Sequence, residues 1–312
     1  IISNDFFEII DNLDSLPMPS RESVINCDFN TYRAHFMSTA RGCPYTCSFC
    51  SDKKLWHSTV RRRSINSCIV EIKYLIKNFD ITYIDITDGT FTYDKKYVYE
   101  FCKNIINNDI NVKWRCTARY DNINKNMLDI MKKANCIGMY FGLESGSESV
   151  LKSMKKQITV EKIVEATNMV YDSGIKSVAS VLFGLPDETC QDMENTLDLM
   201  KKLRVDIFDV NSYVPLPGTA LYEKMTDIEK KNINWKDTAF KSFDNSFNKH
   251  VSKDDLAKYI TEAYSIAEAR LLQMKKSGGW SRNPAERRES DGEPGAVHHP
   301  GILFPGTDTV SR

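Results

Sequence analysis

From about residue 34 to residue 214 the sequence alternates short apolar, β-prone runs with longer amphipathic ones. This rhythm limits what the chain can fold into more than any other property it has. Strands that alternate with helices build βα units around a parallel sheet. Strands are predicted at 34–39, 81–87, 113–118, 137–143, 176–183 and 207–214. Residues 81–87 are apolar or β-branched at nearly every position, as expected of a strand buried on both faces of a parallel sheet. Between the strands, Ile65, Ile69, Ile72, Leu75, Ile76 and Phe79 recur at steps of three and four behind Ser64, a suitable N-cap. Val98, Phe101, Cys102, Ile105 and Ile106 trace a second helical stripe, and Met127, Ile130, Met131 and Ala134 a third. Helices are also predicted over 159–173, stopped by Gly174 in a left-handed cap, and over 189–203. Six such units are two short of a closed eight-stranded barrel, so the expected fold is α/β, an open partial (βα)6 TIM-like barrel.

Composition sets the boundaries. Residues 1–30 carry Leu13-Asp14-Ser15-Leu16-Pro17-Met18-Pro19, whose prolines discourage helix and sheet, so this part reads as an extended lead-in. Residues 31–225 form the barrel core. In 226–276, Leu256, Tyr259, Ile260, Ala263, Ala267, Leu271 and Met274 mark a C-terminal amphipathic helix that is expected to pack on the barrel's edge. Residues 277–312 hold no lysine or cysteine and cluster Gly, Pro, Arg and Glu, which reads as a disordered tail. A native flexible tail and a foreign join explain the abrupt change equally well.

Lysine plus arginine and aspartate plus glutamate are both 42, so the overall balance gives no electrostatic reason to propose a nucleic acid or an anionic membrane as partner. No apolar run approaches the ~20 residues that span a bilayer, and the N-terminus lacks a secretory pattern. The cytoplasm is the expected compartment. The chain begins with Ile1 and not Met, and so reads as a piece of something longer.

The chemistry is concentrated in Arg41-Gly42-Cys43-Pro44-Tyr45-Thr46-Cys47-Ser48-Phe49-Cys50. Three cysteines on one short loop can wrap a corner of a metal cluster, each ionising as it ligates iron, and leave one iron open to an outside ligand. Structural zinc, with His57 or a distant cysteine as fourth ligand, is the alternative, although zinc loops usually come as paired Cys-x2-Cys knuckles. A disulfide framework is a poorer fit, because the 9 cysteines are odd in number and scattered. Cys27, Cys68, Cys102, Cys116, Cys136 and Cys190 show no ligand spacing and read mostly as small core residues.

The predicted strand ends, where a parallel barrel gathers its functional side chains, are polar and rich in glycine. The second ends in Asp88-Gly89, able to receive an ammonium group or simply to form a turn. The third ends in Arg119, a fork for a carboxylate or half of a surface salt bridge. The fourth ends Gly142-Leu143-Glu144-Ser145-Gly146, the fifth Gly184-Leu185-Pro186-Asp187-Glu188, and beyond the sixth lie Val214-Pro215-Leu216-Pro217-Gly218-Thr219. Lys53, Lys54, Arg61, Arg62 and Arg63 follow the cysteine loop; a solvated face is the simpler reading, guidance of an acidic partner the other.

These motifs, in this order over residues 13–225, resemble the radical S-adenosylmethionine (SAM) superfamily, and the Arg-Gly-Cys-Pro-Tyr opening is similar to its cobalamin-associated branch. The resemblance implies a four-iron, four-sulfur (4Fe-4S) cluster on Cys43, Cys47 and Cys50, with the amine and carboxylate of SAM on the open iron. It assigns Asp88 and Gly89 to the SAM amine and Glu144 to the ribose, where Ser145 leaves room for backbone approach; the Arg119 fork then suits the SAM carboxylate or an acidic substrate. Gly184, Val214 and the backbone of Phe49 fall to the adenine. It implies reductive SAM cleavage to a deoxyadenosyl radical, serving methyl transfer or another carbon-centred modification. A reduced flavodoxin- or ferredoxin-type donor would supply the electron. It also admits cobalamin, for which no Asp-x-His-x-x-Gly motif or binding domain occurs in this sequence. Methylthio transfer to RNA or protein is the rival within enzymes, and a non-catalytic metal-binding module the rival outside them.

Overall fold

The computed structural model describes residues 9–21, 35–236, 238–240 and 246–276. The expectations for the tail, for most of the lead-in and for Cys27 lie outside these residues. A 3₁₀ turn, Leu13–Ser15, precedes β1 (His35–Met37). β2 (Ala40–Arg41) then leads through the cysteine loop and α1 (Asp52–Trp56) to its antiparallel partner β3 (Arg61–Arg62). The βα rhythm follows as α2 (Ile65–Phe79), β4 (Tyr83–Ile86), α3 (Lys95–Asn107), β5 (Lys113–Ala118), α4 (Lys125–Lys133) and β6 (Cys136–Glu144). It continues through α5 (Glu148–Ser153), α6 (Val160–Ser173), β7 (Lys176–Phe183), α7 (Cys190–Lys202) and β8 (Ile207–Ser212). Two short helices, α8 (Ala220–Glu223) and α9 (Asp227–Lys231), precede the long α10 (Lys253–Lys276).

The main sheet has six strands in the order β1-β4-β5-β6-β7-β8, all parallel, so every strand points its C-terminal end toward the same mouth. This is the open partial barrel that the rhythm predicts. One apolar core runs between sheet and helices, centred on Phe91, Phe101 and Trp114, whose rings meet edge to face at 5.5–5.6 Å. Cys68, Cys102, Cys116 and Cys136 are buried in it as small apolar residues. α10 lays Leu256, Ile260, Ala263 and Ala267 into the same core, and the Tyr264 hydroxyl donates to the Val210 carbonyl at 3.3 Å.

The lead-in is less extended than its prolines suggest. Leu13 is buried, and the Asp14 carboxylate accepts the Ser64 N–H at 3.0 Å, ahead of α2. The Ser64 hydroxyl in turn accepts the Ser67 N–H at 3.1 Å, which makes it the cap its position predicts. Ser64→Ala is expected to cost ~1 kcal/mol in a urea titration, the usual loss for an N-cap oxygen.

Candidate active site

The cysteine loop is fixed from three sides. Gly42 sits at φ +98°, and a Cβ there would overlap the Thr59 carbonyl oxygen, so the crossing of the loop over the β2–β3 hairpin admits only glycine. Ser48, between the second and third cysteines, donates its N–H to the Met154 carbonyl at 2.9 Å, just past α5. Its own carbonyl accepts the Leu221 N–H of α8 at 3.0 Å. The end of β4 closes the third side: a Cβ on Gly89 would stand 3.2 Å from that of Cys43, and Cys43 Sγ lies 3.6 Å from Thr90 Oγ1.

Cys43, Cys47 and Cys50 are free thiols of intermediate exposure. Burial pushes the Cys47 thiol above its ordinary range, against the lowering pull of Lys156 and Arg119, and pushes Cys50 up to about 11. Both therefore stay protonated at neutral pH until a metal displaces the proton. Among the described residues no three histidine, cysteine, aspartate or glutamate side chains converge as ligands of a single ion would.

The strand ends surround this loop. At β6 the register with β7 shifts between Gly142 and Glu144, and Glu144 takes φ +66°. Bulges of this kind re-aim a side chain. Its carboxylate meets Lys156 Nζ at 2.8 Å, both residues being at most 7% exposed. A Cβ on Gly142 would collide with this pair, which explains the glycine two residues before the acid. The sequence pattern did not reveal Lys156. It follows α5, which at six residues is too short to show a helical stripe, and it lies between Lys155 and Gln157 at φ +54° and +55°.

Arg119 is buried at the end of β5 and forks onto Asp121 at 3.0 and 2.8 Å. It also donates to the Lys156 carbonyl at 2.8 Å and stacks 3.7 Å above the Tyr45 ring of the cysteine loop. Arg119, Glu144, Lys156 and the cysteines thus form one neighbourhood.

Asp88 is engaged elsewhere. Its carboxylate accepts the N–H groups of Thr39 and Ala40 at 2.7 and 2.9 Å and the Thr39 hydroxyl, which pins the corner between β1 and β2 under the loop. Ser145 exchanges a hydrogen bond with Thr196 at 3.1 Å, and Gly146 lets β6 approach α7, where a Cβ would stand 2.5 Å from the Asn195 carbonyl oxygen. Gly184 turns at φ +83° against Leu256 of α10, Val214 is buried past β8, and Phe49 packs on the core. The three arginines after the loop are not a solvated face. Arg61 donates to the Ile10 carbonyl at 2.8 Å beside Trp56, Arg62 lies 4.4 Å from the Tyr97 ring, and Arg63 pairs with Glu71. Their guanidinium groups meet a backbone carbonyl, aromatic rings and a carboxylate. Only Lys53 and Lys54 remain exposed.

Glu188, read from the sequence only as part of a turn, has a stronger role. Its buried carboxyl accepts the N–H groups of Gly184 and Leu185 at 2.7 and 3.2 Å. Burial pushes it up to about 8. A carboxyl raised from 4.5 to about 8 binds a proton in the fold that the unfolded chain has lost, so stability should fall as pH rises across that window. Thermal unfolding of Glu188→Gln at stepped pH is expected to lose most of this slope.

A profile of the radical SAM superfamily matches residues 37–200, more than half of the chain. An uncharacterized methyltransferase of Pyrococcus horikoshii is 28% identical over 260 residues, 82% of this chain and 56% of its own length. An anaerobic magnesium-protoporphyrin IX monomethyl ester cyclase of Rubrivivax gelatinosus is 31% identical over 60% of this chain and 34% of its own. The chain therefore spans about half or less of the length of these relatives. Among solved structures, the radical SAM methyltransferase TsrM of Kitasatospora setae, with cobalamin and a [4Fe-4S] cluster bound, superposes with a TM-score of 0.57. It is 19% identical, over 62% of this chain and 40% of TsrM, a likeness of fold. No helix among the described residues is long and apolar enough to cross a membrane. With the three-cysteine loop at the mouth of an open parallel barrel, the match over residues 37–200 makes this chain a member of the radical SAM superfamily.

Proposed function

We propose that this chain is the catalytic barrel of an enzyme that reductively cleaves SAM at a 4Fe-4S cluster and directs the product toward methyl transfer or another carbon-centred modification. The observation that carries the reading is the gathering of three free thiols with Arg119, Glu144 and Lys156 at the C-terminal ends of parallel strands. A 4Fe-4S cluster held there by Cys43, Cys47 and Cys50 would supply the electron that reductive cleavage of SAM requires.

Cys43, Cys47 and Cys50 hold the cluster. Arg119 and Lys156 offer cations to a carboxylate, and Glu144 offers acceptors to ribose hydroxyls. The carbonyls of Asp88 and Gly89 are the groups of that turn assigned to the amine, since the Asp88 carboxylate is engaged. Gly184, Val214 and Phe49 bound the adenine, and Ser145 supports Glu144 from behind. Residues 31–225 supply this machinery and 226–276 brace its edge. Lys53 and Lys54, exposed on α1 beside the loop, suit an acidic flavodoxin- or ferredoxin-type donor. The methyltransferase relatives favour methyl transfer, with cobalamin as a possible carrier supplied from outside these residues.

The test is anaerobic reconstitution of the chain with iron and sulfide, followed by dithionite and SAM. Deoxyadenosine is expected in the products. A fully reconstituted cluster that releases none would overturn the proposal.

A further inference from the structure

A cleft of about 530 Å³ lies between the turn after β7, the residue after β8, helices α8 and α9, and residues 246–253. Its volume falls in the range of small-molecule sites. Its walls are tied together: Asn248 Nδ2 donates to the carbonyls of Leu185 and Glu188 at 2.6 and 2.8 Å, and the Lys249 N–H to that of Pro186 at 2.9 Å. Leu221, on one wall, is the residue whose N–H holds Ser48 between Cys47 and Cys50. Through that hydrogen bond one wall of the cleft is tied to the cysteine loop.

The lining has two characters. Tyr213 and Phe247 meet edge to face at 6.2 Å and, with Leu221, give an apolar floor. Tyr213 is 3% exposed, and its hydroxyl, sealed from solvent, has no partner among the described residues. Burial holds the phenol above the usual tyrosine range, so it remains a donor.

Above the floor stand Lys224 and Lys249, neither of which forms an ion pair among the described residues, with Lys253 at the start of α10. Two carboxylates, Asp187 and Glu229, share the wall. Glu229 is turned to the cap of α9, where it accepts the Thr226 N–H and hydroxyl at 2.6 and 2.9 Å. The lining thus holds three lysines against two carboxylates, of which Glu229 also feels Lys249.

We propose that this cleft binds the substrate through an oxyanion headgroup, carboxylate or phosphate, carried on an apolar body that rests on Tyr213 and Phe247. Lys224 and Lys249 pair with the oxyanion at the rim. This names a substrate class for the proposed catalytic site and rests on that reading.

Binding of 1-naphthoate, 1-naphthyl phosphate and uncharged 1-naphthol to the full chain, without cluster or turnover, tests it. The measurement can fail while SAM cleavage succeeds, and the reverse. Both anions are expected to bind more tightly than naphthol, the tighter of the two identifying the headgroup. Lys224→Gln with Lys249→Gln is expected to weaken the anions about tenfold and leave naphthol unchanged. Lys96→Gln, a surface change on α3, should alter none of the three. Equal binding of naphthol and the anions, or wild-type anion binding by the double variant, overturns the proposal.

Discussion

Cys47→Ala is expected to abolish cluster assembly, with iron content and deoxyadenosine release at the level of the cluster-free control and the fold intact. Cys47 is the central thiol of the loop, and burial with two cations nearby leaves its side chain placed for ligation and little else. The loop's position does not depend on that sulfur. Backbone bonds from Ser48 to Met154 and Leu221, together with Gly42 crossing under the Thr59 carbonyl, fix it without any thiol. Circular dichroism should therefore be unchanged while the iron–sulfur absorbance disappears. Undiminished deoxyadenosine from the variant would mean that the chemistry is not at this loop. The same alanine is a sharper probe than serine, whose hydroxyl can still reach a metal.

The parts of this fold with long periods are the parts that the sequence declares. β5 and β7 fall on the predicted residues, and α2, α3, α6 and α7 on their apolar stripes. Each buries a face several turns or residues long, and that regularity is written in the spacing. The β2–β3 pair, α1, α5, α8 and α9 were not legible, because two-residue strands and helices of four to six residues carry no period to recognise. Those short elements are the ones that hold the cysteine loop and present Lys156. The arginines after the loop were misread for a related reason. A run of like charges looks solvated in one dimension, whereas these guanidinium groups fold back on a backbone carbonyl, an aromatic ring and the Glu71 carboxylate. The Asp88 case is similar, since its carboxylate answers to the N–H groups of Thr39 and Ala40, far away in sequence.

Lys156→Met is expected to lower stability by ~3–5 kcal/mol, the cost of leaving a buried carboxylate without its cation. Glu144 and Lys156 face each other at 2.8 Å with almost no solvent contact, and positive φ values at Glu144, Lys155 and Gln157 show that the backbone holds them there against its own preference. If the ion pair is the reason, removing both charges should be milder than removing one. The double variant Glu144→Gln with Lys156→Met is expected to recover a large part of the loss in urea unfolding, because no unpaired charge remains. A Lys156→Met chain within ~1 kcal/mol of wild type would instead mean that water reaches Glu144 and solvates it. The two results also bear on the chemistry. The pair stands beside Cys47, and the bulge that re-aims Glu144 is also what makes Gly142 a glycine.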